Sequence, residues 1–134
     1  MSGDLSLLII TTPGGQPHKG LWLGHDHIRL GTAYDEFVAL METDALNQQE
    51  VPEGVHCFQA RIPDGSLEDE KCYGTIEEDD YGKRLKYTTA RDILDFAKVH
   101  RDKIGENIRI TAALAYIRVI ARKHPNWHFV LYWH

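Results

Sequence analysis

From Asn107 to the end of this 134-residue chain, apolar side chains run through two different periodicities in succession. Between Ile108 and Ala121 the spacing is helical. Ile108, Ala112, Ala113, Tyr116, Ile117, Val119 and Ile120 are apolar, and Asn107, Thr111, Arg118 and Arg122 form a narrow polar stripe. A helix with so thin a solvent face is expected to be buried on most of its circumference. His124-Pro125-Asn126 breaks the pattern, and Trp127 to Trp133 then reads as a strand, aromatic enough to be central rather than marginal. A buried helix followed directly by a central strand leaves the upstream chain one task, which is to complete a sheet and its covering layer around that pair.

Upstream, Leu5 to Ile10 is an apolar run of strand length, and Leu21 to Leu30 is a second strand across a loop rich in Gly and Pro. Thr32 followed by Asp35 resembles a capping box, so a first helix is expected from there to about Asn47. Val55 to Ile62 alternates as a third strand. Tyr73 to Glu78 and Arg84 to Thr88 read as a hairpin, with Arg84 and Lys86 facing Glu77 and Glu78. Thr89 with Asp92 opens a second helix ending near Lys103, and Gly105 separates it from the third. The expected order is β-β-α-β-β-β-α-α-β. That order describes a two-layer α+β domain, a mostly antiparallel sheet with three helices on one face, spanning residues 1–134 as a single unit.

Charge is unevenly spread. Residues 1–80 hold 16 acidic and 4 basic side chains, whereas residues 81–134 hold 4 acidic and 11 basic, for a net charge of −5. An acidic total argues against non-specific nucleic-acid binding, which depends on clustered Lys and Arg. The short apolar run after Asp4 does not read as a signal peptide, and no run approaches a membrane span, so a cytoplasmic location without membrane association is expected. Cys57 and Cys72 lack metal or redox spacing and are expected to be reduced thiols. No cofactor and no metal are expected, and no stretch matches a family motif.

Two surfaces carry chemistry. In an extended Gly24-His25-Asp26-His27-Ile28-Arg29, alternation would project His25, His27 and Arg29 from one face. Two imidazoles and a guanidinium suit a small anion such as a nucleotide, and two histidines suit acid–base work in a nuclease or phosphodiesterase. The adjoining loop contributes Lys19, although it lacks the phosphate-cradle pattern. The second surface is acidic: Glu68, Asp69, Glu70, Glu77, Glu78, Asp79 and Asp80. An acidic flank steers and matches a basic partner. Without catalytic motifs, the leading expectation is a small non-catalytic binding or inhibitor protein, acting on a protein partner as immunity proteins and phage-encoded inhibitors do. Binding of a small anionic ligand is the alternative and histidine-based hydrolysis the third, with self-association open in each case.

Overall fold

The computed structural model describes residues 3–11, 21–59 and 74–134. Among the described residues there is one sheet of seven strands: β1 (Asp4–Ile10), β2 (Leu21–Thr32), β3 (Gln49–Glu50), β4 (His56–Gln59), β5 (Gly74–Ile76), β6 (Lys86–Thr89) and β7 (His128–Trp133). Their spatial order is β3-β6-β7-β1-β2-β4-β5. Every pairing is antiparallel except that of β2 with β4, which run parallel. The described residues also form four helices: α1 (Glu36–Leu40), α2 (Ala90–Val99), α3 (Arg101–Ile104) and α4 (Ile108–Lys123). The α+β class with a mostly antiparallel sheet is as expected, and the aromatic strand β7 does lie inside the sheet, between β6 and β1.

The centre of the sheet is buried on both sides. Leu5, Leu7 and Ile9 of β1, with Phe129, Leu131 and Trp133 of β7, meet Phe37, Ile93, Phe96, Ile110, Leu114 and Ile117 from the helices. The alternate residues, Leu8 and Ile10 with Val130 and Tyr132, face the other way and pack on Trp22, Val51, Val55, Cys57 and Leu85. Covering both faces accounts for the near-continuous apolar run of β1, interrupted only by the buried Ser6, because alternation is lost when neither side meets water.

Several local expectations need correcting. Residues expected to form one second helix form two, because His100 leaves helical geometry at φ −107°, ψ 29° and restarts the chain as α3. The first helix is short and is capped by Asp35 itself, whose carboxylate accepts from the Phe37 and Val38 amides, while Thr32 belongs to β2. The expected hairpin closes only at its turn, where Glu78 and Arg84 form an antiparallel bridge, the Asp79 amide donates to the Lys83 carbonyl and the Leu85 amide to the Glu77 carbonyl. Beyond it the two segments part, β5 pairing with β4 and β6 with β7. Packing against neighbouring strands, and not the turn alone, sets strand pairing.

The largest correction concerns α4. Only Ile110, Ala113, Leu114, Ile117 and Ile120 are buried, so the helix covers the sheet with one stripe rather than most of its circumference. Ile108 remains 82% exposed and Val119 50% exposed. A sheet is covered by an apolar stripe little more than about 100° wide, and this helix carries more apolar surface than that task requires.

Candidate functional site

The histidine strand is less regular than alternation implies. Asp26 pairs with Ile9 and Gly24 with Ile10, so the register skips His25, and the single-face arrangement of residues 25, 27 and 29 is interrupted there. His27 lies opposite Leu8 and Arg29 opposite Ser6, two residues apart on the same side of the strand. Arg29 is already matched, since its Nη2 donates to Asp4 Oδ2 at 2.7 Å across the strand pair. The His27 ring has its Nδ1 buried without a hydrogen-bond partner among the described residues, 3.9 Å from Asp26 Oδ1. Lys19 and the side chain of His25 lie outside the described residues. Among the described residues no group of three metal-ligating side chains gathers.

The acidic stretch divides into parts with different duties. Glu68, Asp69 and Glu70 lie outside the described residues. Asp79 is 8% exposed, and its Oδ1 accepts from the backbone N–H of Tyr81 and of Lys83, which shapes the turn into β6. Asp80 Oδ1 accepts the Tyr132 hydroxyl. Glu77 Oε1 meets His56 Nδ1. Glu78 stands at the β-bridge to Arg84.

The outward side of α4 is organised differently. Ile108, Ala112, Ala115 and Val119 recur at intervals of four, three and four residues and are all exposed. At 3.6 residues per turn these four positions fall within an arc of about 60°. The row begins where Asn107 caps the helix: its Oδ1 accepts from the Ile110 amide at 3.1 Å, while its Nδ2 donates to Asp35 Oδ2 at 3.0 Å and so ties α4 to the cap of α1. At the other end Tyr116, Val119, Ile120, Lys123, His124 and Trp127 line an open hollow of about 330 Å³. Its far wall is formed by the stacked His124 and Trp127 rings, 3.9 Å apart and 4° from parallel.

Charge flanks this row on both sides. Residues 108–123 include Arg109, Arg118, Arg122 and Lys123 and no acid at all. Among the described residues none of these four enters an ion pair. Beside Arg118, a groove of about 400 Å³ runs between α2, α3 and α4, with Leu94, Ala97, Ile104 and Leu114 as its floor and Lys98 and Arg101 on the opposite rim. By contrast the cleft under Lys83, Arg84 and Lys86 holds only about 120 Å³, well short of the roughly 300 Å³ at which small-molecule sites begin.

None of the residues singled out from sequence falls on this helix face. The signal was present in the spacing, since a helical wheel sets Ile108, Ala112, Ala115 and Val119 opposite Ile110, Leu114 and Ile117. Treating every apolar residue as core concealed it. Among the described residues no helix is long and apolar enough to cross a membrane. Compared with known protein families, with curated proteins and with solved structures, the chain matches none.

Proposed function

We propose that this chain is a small non-catalytic binding protein that docks a protein partner along the outward face of α4. The observation that carries the reading is the aligned row Ile108–Ala112–Ala115–Val119, exposed on a helix whose opposite stripe already satisfies the core. Isolated exposed apolar residues are ordinary on protein surfaces, whereas contiguous ones mark contact sites. Tyr116, 46% exposed, adds an aromatic at the edge of the row, a residue type enriched where binding energy concentrates.

The acidic stretch gives less support to a docking role. Asp79 and Asp80 are committed to a turn and to Tyr132, and Glu77 to His56. A nucleotide- or phosphate-binding role for His25, His27, Arg29 and Lys19 is weakened by the Asp4 carboxylate, which already occupies Arg29. Acid–base hydrolysis by His25 and His27 draws nothing further from the register, which skips His25.

The test is retention of a partner. Tagged wild-type chain, Val119→Asp and Ile108→Asp would be recovered from the cells that natively make the protein, after circular dichroism shows all three folded. The docking reading expects a stoichiometric partner with the wild type and its loss from both variants. A partner retained equally by all three would contradict it.

A further inference from the structure

We infer that the element docking on α4 is an acidic amphipathic helix. This inference rests on the docking reading above and adds the chemistry of the partner.

The first argument is shape. Intervals of four, three and four are the spacing with which one helix keeps a seam turned toward another. Ala112 and Ala115 sit between the larger Ile108 and Val119, leaving a shallow waist into which side chains of a second helix settle at the usual axial separation of about 8–10 Å. The row covers three turns, about 16 Å of helix. A bilayer surface would call for bulky apolar groups along its whole length, and half of this row is alanine.

The second argument is charge. Arg109 and Lys123 lie on one side of the row, Arg118 and Arg122 on the other, and no carboxylate stands among them on the helix. Lys98 and Arg101 extend the cationic rim across the groove beside Arg118, where Asp95 is the one acid in the lining. A second copy laid on this face would set these cations against their own counterparts, which is repulsive in either orientation. A helix carrying Glu or Asp beside an apolar seam matches both flanks at once. Association should then weaken with added salt, since exposed charges are screened beyond a Debye length.

The experiment uses the full-length chain and two fluorescein-labelled peptides of about 20 residues, long enough to hold helix. Both carry the same leucine seam at heptad spacing, one flanked by Glu and the other by Lys, and binding is read by fluorescence anisotropy. The Glu peptide should bind saturably and about tenfold or more tighter than the Lys peptide. Val119→Asp should abolish binding, and Val99→Asp, at a site 74% exposed on α2, should leave it unchanged. Arg118→Glu combined with Arg122→Glu should reverse the preference between the two peptides.

Equal affinity for both peptides, no binding of either, or loss of binding in Val99→Asp would overturn the inference. So would a dimer by native mass spectrometry that Val119→Asp dissolves, or tighter binding to phosphatidylserine vesicles or to duplex DNA than to the Glu peptide. If Val119→Asp loses the cellular partner while the peptides are not distinguished, the docking face stands and its acidic occupant falls. If Val119→Asp loses neither, both fall.

Discussion

Helices α2 and α4 pack against one another on the same face of the sheet, yet their outward sides differ in kind. α2 buries Ala90, Ile93, Phe96 and Ala97 and turns Arg91, Asp95 and Lys98 to solvent, with Val99 as its single large exposed apolar residue. α4 buries Ile110, Ala113, Leu114, Ile117 and Ile120 and still presents Ile108, Ala112, Ala115 and Val119 outward. Each inward stripe does the same work, so the outward row of α4 adds nothing to the core. Full burial of a Val or Ile side chain is worth about 1.5–3 kcal/mol, and most of that is uncollected at Ile108 and about half at Val119. The contrast separates what holds this fold together from what is available to a second molecule.

The two sides of α4 should respond very differently to truncation. Ile117→Ala removes a side chain with no exposure and is expected to cost about 2–5 kcal/mol in denaturant unfolding, through lost transfer energy and the cavity left behind. A cost below about 1 kcal/mol would mean that the inward stripe is not core, and the comparison would break at its base.

Next in size come the caps. Asn107→Ala is expected to cost about 1–2 kcal/mol, since it removes the cap of α4 together with the bond to Asp35. Thr89→Ala, which removes the bond from the Asp92 amide at the start of α2, should cost about 1 kcal/mol. An equal loss in the two would show that the Asn107–Asp35 link contributes nothing.

Burial at Cys57 sharpens the same distinction on the helix-free side of the sheet. Enclosure pushes its thiol up from the ordinary 9.0 to about 12. Between those values the unfolded chain loses its proton and the folded chain keeps it, so stability should fall as pH rises above 9, by at most about 1.4 kcal/mol per unit. Cys57→Ala should lack that slope. In a Cys72→Ser background at pH 8, a cysteine introduced as Val119→Cys should react promptly with a thiol reagent while Cys57 stays unmodified.

The smallest effect is expected on the row itself. Val119→Ser and Ile108→Ser should each change stability by less than about 0.5 kcal/mol, measured by the midpoint of thermal unfolding. A loss as large as that of Ile117→Ala would mean that these side chains serve the fold.

How much of this was legible depended on how local each decision is. The strand character of Leu5–Ile10 and of the aromatic C-terminal segment followed from runs of apolar residues that only a buried strand accommodates. The Thr89 cap followed from two residues three apart, and its bond to the Asp92 amide forms at 3.1 Å. Choices made between distant segments were not legible. The parallel pairing of β2 with β4 and the parting of the hairpin segments to separate partners depend on which strands the whole sheet brings together. The register skip at His25 arises from the match between β1 and β2, which neither strand specifies alone. Asp79 reads as one more acid in a charged run, and only the folded turn reveals two amides directed at its carboxylate. Ile108 and Val119 are indistinguishable from Ile110 and Ile117 by residue type. Only their angular position on the helix, set against a sheet that needs one stripe, separates core from surface.

The docking role of α4 is tested most directly by site-specific photocross-linking in the cells that make the protein. A benzophenone amino acid would be placed at Val119 in one chain and at Tyr81, 46% exposed in the turn that leads into β6, in another. A docking face at α4 requires a discrete cross-linked adduct from position 119 and none from position 81. The same adducts from both positions, or none from position 119 in a folded chain, would contradict it.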